Sequence, residues 1–401
     1  MSQAIPKNPD ALPEPAKRFY LPELDVLRFF AFFAVFVSHV APHGPVFYES
    51  GGALGRLAAS GAFGVDLFFT LSGYLLTSLL LREREQSGDI NLRAFYARRT
   101  LRIWPLYYFS LVLAFLLTRI PASIIAAPPF LGNLFVPIHL KSYFFMSIFL
   151  FNFNFDNCLG TNPTLFMAHL WSISVEEQFY LFWPWFARYV PRRRIVAIPI
   201  VMIAVAVIAR AISLPLKFNV PVWNNTFTRL DPIAVGILIA LAPRLNPRPA
   251  LRLVLVLAGF AAWQFAAYYC GLIGQLSTLK ISMGYPAVAL GSGAFLLATL
   301  GTKSLRSGSA LVRCLIYLGK ISYGLYVYQQ IALFAARLLL FRGVLDGMLV
   351  AAGLPPWSAF PVYLILAFGL NVALAAVSYR WLEAPFLRLK ERFTRVPSRA
   401  V

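Results

Sequence analysis

The chain has 401 residues, of which 59% are hydrophobic and only 13% are charged, and its formal net charge is +20. Charged residues make up about a quarter of a typical soluble domain, so the composition excludes that class and predicts an all-α, polytopic transmembrane helix bundle. The basic residues collect in alternate connections between apolar segments, so we expect the lipid bilayer as a partner and no nucleic acid. Three cysteines have neither metal-ligand spacing nor an evident pairing, so we expect packing residues and no metal site: Cys158, Cys270 and Cys314.

Apolar segments along the chain predict about ten membrane spans, with both termini in the cytoplasm. Residues 1–22 are polar and rich in proline, which favours a flexible cytoplasmic tail over a cleaved signal peptide. Residues 23–385 are predicted to form one transmembrane domain, and residues 386–401 a basic cytoplasmic tail. The predicted spans are 24–42, 64–81, 104–119, 169–187, 195–212, 231–243, 251–270, 282–300, 315–340 and 359–380.

Two apolar segments are too short to be simple spans. Residues 143–155 are apolar, but a full span there would move the next basic connection to the outside. We therefore predict an external region over 120–168 that contains an interfacial or re-entrant piece. The segment 231–243 is also short, which favours a broken or tilted helix.

The first predicted span carries an ionisable pair, Arg28 and His39. Eleven residues are close to a whole number of α-helical turns, so both side chains lie on one face. Asp25 precedes Arg28 by three residues and can hold its guanidinium group. Histidine can accept a proton from a hydroxyl nucleophile, so His39 is a candidate base in the external half of the membrane. A histidine bonded at a helix interface is the structural alternative, and this span alone leaves both open.

A second polar cluster begins at His169 and opens a predicted span. On a helix, Ser172, Glu176 and Tyr180 share a stripe with His169, whereas Glu177 is turned about 100° away. Adjacent carboxylates in a span cannot both face lipid, so at least one points into a polar interior. One glutamate can be structural and the other functional.

A third cluster, Arg98, Arg99 and Arg102, precedes the third predicted span at helical spacing. Guanidinium groups bind phosphate oxygens in pairs, so this surface is a candidate phosphate site. Charges that only set topology or bind lipid headgroups are the alternative. Weaker candidates lie at Asp66, Asp231, Ser322, Tyr323 and Glu383.

Six strings in this order resemble the integral-membrane acyltransferase-3 family. The most specific is the run His-Leu-Trp-Ser-Ile-Ser-Val-Glu-Glu-Gln-Phe-Tyr, and the match extends from residue 24 to about residue 390. One departure is Gln329, where many relatives have histidine. The matching positions are Arg28 with His39, 64–73, Arg99 with Arg102, 169–180, 322–326 and 378–385.

The resemblance implies an O-acyltransferase that moves an acyl group, usually acetyl from acetyl-CoA, to a hydroxyl of a carbohydrate or related acceptor. It implies a multi-pass protein of the bacterial inner membrane, with His39 as base or transient acyl carrier and Arg28 as its partner. Glu176 and Glu177 would join the catalytic site. Acyl-CoA would be contacted by Arg98, Arg99 and Arg102, and the acceptor by Asp66, Ser322 and Tyr323.

Some relatives carry a C-terminal extracytoplasmic hydrolase-like domain, and this chain is expected to end about twenty residues after its last span. It would therefore complete the transfer alone or hand the group to a separate extracytoplasmic transferase or glycan-synthesis machinery. The main alternative is a proton-coupled transporter of a lipid-linked or secreted glycoconjugate, since intramembrane His, Arg and Glu also suit proton relays. A scaffold for a polysaccharide synthase is a third hypothesis, but it gives no reason for so many ionisable residues.

Overall fold

The structure is a computed structural model in which the described residues are entirely helical apart from turns and connections. It describes residues 19–40, 53–117, 140–153, 165–213, 222–243, 247–269, 278–306, 308–341, 351–353, 359–394 and 396. Most of the predicted N-terminal tail, Cys158 and Cys270 lie outside these ranges.

Every predicted span contains a helix. We number the helices in chain order. They are α1 Pro22–Val40, α2 Ala53–Ser60, α3 Gly64–Ser87, α4 Leu92–Leu117, α5 Leu140–Ser147, α6 Leu165–Ala168, α7 Trp171–Tyr189, α8 Ala197–Ser213, α9 Leu230–Leu241, α10 Pro249–Gln264, α11 Thr278–Thr299, α12 Ala310–Lys320, α13 Ser322–Phe341, α14 Ala359–Ser378 and α15 Ala384–Glu391.

By length and composition, fewer helices than the ten predicted are clear membrane spans. Within the described residues, five stretches are long and apolar enough, and a bent pair, α12 with α13, would be a sixth. Helices α1 and α7 have 19 residues each, but each carries three charged side chains. The five stretches are Leu57–Ser87, Leu92–Leu117, Pro249–Tyr268, Leu279–Thr299 and Pro361–Glu391. The chain is thus an integral membrane protein with several spanning helices.

Two predicted boundaries differ from the structure. The connection predicted over 82–103 is short, because α3 continues to Ser87 and α4 begins at Leu92. Gly88 ends α3 in the left-handed region with φ of 75°, and Asn91 accepts a hydrogen bond from the Ala94 N–H at 2.9 Å to cap α4. The segment predicted as a single span over 315–340 is two helices, α12 and α13, which meet at a bend of 75°.

The short segment predicted to be interfacial or re-entrant contains α5, which has eight residues. At about 1.5 Å per residue such a helix is far too short to cross a bilayer. Side chains from longer helices satisfy the carbonyls near its end. Tyr107 and Tyr108 donate to the carbonyls of Met146 and Ser147 at 2.9 and 2.8 Å. The segment is therefore anchored to α4, and residues 154 and 155 lie outside the described part.

Helix α1 lies at the centre of the bundle, where it packs against α3, α11, α12 and α13. Leu24, Ala31, Phe32 and Phe36 are buried on it, which places its polar residues inside protein. The predicted basic tail begins within α15, which packs on α4. Helix α1 thus packs its buried face, with Arg28 and His39 half-buried, into the bundle and leaves Phe30 and Phe33 exposed.

Candidate functional site

A cavity lies between α1, α3, α4, α7, α13 and α15. It extends from the end of the bundle that holds Phe19 and Val396 to Ser172 and Tyr326 in the interior. Cations outnumber carboxylates along its wall, so the cavity favours an anionic occupant. The charged residues that line it are Asp25, Arg28, Glu83, Arg98, Arg99, Arg102, Glu176 and Lys390.

The two adjacent glutamates of α7 point in different directions. Glu176 faces the cavity, where it accepts hydrogen bonds from Ser72 at 2.5 Å and from Tyr180 at 3.1 Å. Glu177 does not line the cavity, and it accepts a hydrogen bond from the Trp104 indole at 3.1 Å. The predicted separation of Glu177 from the polar stripe is confirmed, and of the two adjacent glutamates it is Glu176 that lines the cavity.

Arg28 also lines the cavity. Its guanidinium lies 2.7 Å from Asp25, which confirms the predicted pairing. Asp25 accepts a second hydrogen bond from the Tyr20 hydroxyl at 2.9 Å. The charges of Arg28 and Arg102 both act on Glu176. The cavity therefore holds a carboxylate between two cations rather than an isolated buried charge.

The three arginines of α4 have different surroundings. Arg98 is 2.9 Å from Glu83 and donates to the Phe393 carbonyl at 2.7 Å, so it joins α3, α4 and the end of the described chain. The guanidinium of Arg99 lies 5.6 and 5.5 Å from the ring centroids of Phe95 and Tyr180. Aromatic faces stabilise a cation without neutralising it, so Arg99 keeps its positive charge inside the cavity.

His39 is half-buried near the opposite end of α1 from Arg28. Eleven residues of helix separate the two by about 16 Å along the axis, so they are not in contact. His39 does not line the cavity, and its Nδ1 lies 3.3 Å from Oε1 of Gln329. The charge of His39 also acts on His169, so the two imidazoles lie within range of an electrostatic interaction.

Tyr326 lies at the inner end of the cavity and contacts His169. Its hydroxyl is 2.8 Å from Ser172 and donates to the His169 carbonyl at 2.8 Å. Its ring packs edge-on against His169 at 5.1 Å and against Phe68 at 6.1 Å. Tyr326 thus stands between the arginine-lined cavity and His169. His169 itself precedes α7, which begins at Trp171, so it is not on the predicted helical stripe.

The three residues expected to contact the acceptor lie in two separate parts of the structure. Ser322 and Tyr323 line the cavity, and the Tyr323 hydroxyl donates to the Ile103 carbonyl at 2.9 Å. Asp66 does not line the cavity. It forms a fully buried ion pair with Arg229 at 2.8 Å.

The Asp66 pair belongs to a separate polar cluster that sequence reasoning missed. Arg210 and Asp231 form a second buried ion pair at 3.0 Å. The Arg229 guanidinium lies 4.5 Å from the Trp223 ring centroid and 4.8 Å from that of Tyr285. Arginines within apolar segments require carboxylate partners, and this signal was available in the sequence for both pairs.

Gln178 was also missed, although it lies in the most specific motif. Its amide donates to the Phe149 carbonyl at 2.8 Å and to Asn152 at 2.9 Å, and it accepts from Thr226 at 2.5 Å. It therefore holds the segment after α5 against α7.

Within the described residues, no group of three His, Cys, Asp or Glu could hold a metal ion. Cys314 is exposed rather than packed in the interior.

Comparison with known proteins places these features in a family. Residues 21–376 match the acyltransferase domain of the acyltransferase-3 family. The chain is 27% identical over 382 residues to the O-acetyltransferase OatA of Staphylococcus aureus strain NCTC 8325, covering 91% of this chain and 57% of OatA. It is 26% identical over 392 residues to a putative O-acetyltransferase of S. aureus strain COL, covering 92% of this chain and 58% of that protein.

The chain thus spans less than two thirds of the length of these relatives. No solved structure matches it. The family match covers most of the chain, including the histidine of α1, the arginines of α4 and the glutamates of α7. This integral membrane protein therefore belongs to the acyltransferase-3 family.

Proposed function

We propose that the chain is a membrane O-acetyltransferase that moves acetyl from acetyl-CoA to a hydroxyl of a carbohydrate or glycoconjugate acceptor. The observation that carries the proposal is the arginine-lined cavity that enters the bundle and reaches Ser172 and Tyr326, both of which bond to the His169 carbonyl. Family membership and the similarity to OatA support acyl transfer over the proton-coupled transporter. Release of free CoA distinguishes the two, because a transporter does not cleave a thioester.

The donor would occupy the cavity with its phosphates on the arginines of α4. Arg99 and Arg102 are the proposed phosphate contacts, since both line the cavity and arginine forks match phosphate oxygens. Arg98 would mainly hold the cavity wall through Glu83. Arg28 would act on the charge of the donor or of Glu176 rather than on His39, from which it is about 16 Å away along α1.

The thioester would then pass Tyr326 to reach His39. The acceptor oxygen attacks the thioester carbonyl while His39 takes the hydroxyl proton. The carbon–sulfur bond breaks, and the thiolate leaves and takes that proton back to become the free thiol of CoA. The alternative is initial attack by His39 itself, which would carry the acetyl group until the acceptor removes it. Both routes produce one acetyl ester of the acceptor and one molecule of free CoA.

The proposal places both termini in the cytoplasm, with about ten segments crossing or entering the membrane. Phe19 and Val396 line the same cavity, which supports a common side for the two ends. His39 lies towards the other end of α1, so the acceptor would arrive from outside. Reporter fusions after each predicted span test this arrangement, and an external signal from either terminus would reject it.

The proposed acceptor is a carbohydrate or glycoconjugate, and the proposed partner is a separate extracytoplasmic transferase. OatA is by name an O-acetyltransferase and is longer than this chain. The acetyl group could therefore be delivered to a glycan directly or through a separate extracytoplasmic transferase. We propose that the protein lies in the bacterial inner membrane. Mass spectrometry of envelope glycans and culture supernatant, from cells with and without this chain, would identify the acetylated product.

His39→Ala tests the chemistry. Membranes that contain the correctly inserted variant should release CoA from acetyl-CoA at less than about 1% of the wild-type rate, since general base catalysis contributes roughly 10²–10⁴-fold. Ser38→Ala is the matched control, because the Ser38 hydroxyl bonds only to the Val35 carbonyl of its own helix in the described structure. Wild-type turnover by His39→Ala would remove His39 from the reaction.

A further inference from the structure

Gln329 on α13 meets His39 on α1 across 290 residues of chain. Its side chain is fully buried, and its carbonyl oxygen Oε1 lies 3.3 Å from Nδ1 of the imidazole. In this orientation of the Gln329 amide the facing atom is a carbonyl oxygen, which has no proton to donate, so Nδ1 of His39 carries the hydrogen. The Val35 carbonyl of the same helix is a second acceptor for the imidazole. In the neutral imidazole the lone pair is then on Nε2.

We propose that Gln329 is a positioning residue that fixes the tautomer and the ring orientation of His39, so that Nε2 is the atom that accepts the hydroxyl proton. This rests on the proposed function, in which His39 performs the chemistry. When Nε2 takes the proton, the imidazolium keeps its Nδ1–H bond to Gln329. The proton then leaves from Nε2 to the thiolate of CoA, and the bond to Gln329 is unchanged through the cycle.

The surroundings of Gln329 are suited to holding an atom in place. The Asn371 amide on α14 donates to the Leu325 carbonyl at 3.1 Å, one turn before Gln329. The hydroxyl of the adjacent Tyr328 donates to Ser378 at 3.1 Å. Two hydrogen bonds between α13 and α14 thus flank Gln329 and hold this part of α13 in place, while the Gln329 side chain itself contacts His39 through Oε1.

Few charged groups compete with this contact. Helix α14 has no charged residue over Ala359–Ser378. On α1, Asp25 and Arg28 pair with each other near the opposite end of the helix. His169 is the titratable neighbour whose charge interacts with that of His39. A carboxylate introduced at position 329 would therefore be the main new charge acting on His39.

The experiment compares Gln329→Leu, Gln329→Glu and Gln330→Leu in membranes supplied with acetyl-CoA. Gln329→Leu removes the acceptor and should lower kcat about tenfold or more, with KM for acetyl-CoA within about twofold of wild type. Gln330→Leu makes the same change one residue along, about 100° around the helix, and should preserve both constants. Equal effects at the two positions would overturn the proposal.

Gln329→Glu is nearly isosteric, so it tests the inference even if the leucine variant folds poorly. It retains an oxygen acceptor and adds charge that stabilises the imidazolium. The acidic limb of the pH–rate profile should therefore move to higher pH if position 329 lies against the imidazole that acts as the base. An unmoved limb would overturn the positioning role. If His39→Ala is fully active, the proposed function fails; if it is inactive while Gln329→Leu matches wild type, only the role of Gln329 fails.

Discussion

The hydroxyl of Ser72 on α3 lies 2.5 Å from the carboxylate of Glu176 on α7. This contact turns Glu176 into the cavity, whereas the next residue, Glu177, bonds to Trp104 on its outer side. We expect Glu176→Gln to reduce acetyl transfer by at least about tenfold, because the cavity loses the carboxylate on which the charges of Arg28 and Arg102 act. CoA release in membranes measures the effect.

Glu177→Gln is the matched control for that prediction. It makes the same change one position along α7, and its amide can still accept the Trp104 hydrogen bond. We expect Glu177→Gln to lose less turnover than Glu176→Gln when the membranes contain equal amounts of the two variant proteins. A larger loss at Glu177 would show that the cavity-facing carboxylate is not the functional one.

The arginines of α4 give a prediction about donor affinity. Arg99→Ala combined with Arg102→Ala removes two cations from the cavity, and each charge-assisted hydrogen bond contributes about 1.5–3 kcal/mol. The apparent KM for acetyl-CoA should rise by at least about tenfold. Arg93→Ala on the same helix is the control, since Arg93 is exposed and does not line the cavity. An unchanged KM in the double variant would contradict phosphate binding at this surface.

The elements and the local pairs were largely predictable from the sequence. Hydrophobic segments located every main helix, and three-residue spacing predicted the contact of Asp25 with Arg28. Helical spacing also placed Ser172, Glu176 and Tyr180 on one face, which is the face that lines the cavity. These features depend on neighbours within one or two turns, and such distances can be read from a single segment.

Contacts between distant helices were not predictable. Asp66 meets Arg229 across 163 residues, and Gln329 meets His39 across 290. Periodicity gives the face of each residue but not the helix that covers that face. The bend at Ile321 was missed for a related reason, since α12 and α13 together read as one apolar run. Gln178 likewise bonds to two segments that are separate in sequence, around residues 149–152 and at Thr226.

The ion pair of Asp66 with Arg229 predicts a large effect on stability. Both side chains are fully buried, so Asp66→Asn leaves an uncompensated guanidinium in the interior. The loss should be about 3–5 kcal/mol of unfolding free energy, seen as a lower apparent Tm in detergent. Asp89→Asn is the control, because Asp89 pairs with Arg188 at the surface and such pairs contribute about 0–1 kcal/mol.

A double variant separates the ion pair from a direct role in binding. Asp66→Leu with Arg229→Met removes both charges, and buried pairs replaced by apolar residues are often neutral for stability. We expect its apparent Tm to recover most of the loss of Asp66→Asn. Recovery of Tm without recovery of CoA release would indicate that Asp66 contributes to the reaction, as the sequence resemblance implies.

Gly73 on α3 and Gly236 on α9 allow those helices to approach closely. A Cβ atom at Gly73 would collide with the Ile233 carbonyl, and one at Gly236 with the Thr70 carbonyl. Small residues at such crossings are typical of membrane helix packing. Gly236→Ala should therefore lower the unfolding free energy by about 1–3 kcal/mol, measured as a lower apparent Tm.

Gly369 on α14 provides the control for this crossing. No atom lies within 4 Å of a Cβ added there, so the substitution meets open space. Alanine has the higher helix propensity, by about 1 kcal/mol, so Gly369→Ala should preserve or raise the apparent Tm. If Gly236→Ala is as stable as Gly369→Ala, α3 and α9 are not packed backbone to backbone. The α7 side of α3 would then be less constrained, and Ser72 would not be held against Glu176 by this crossing.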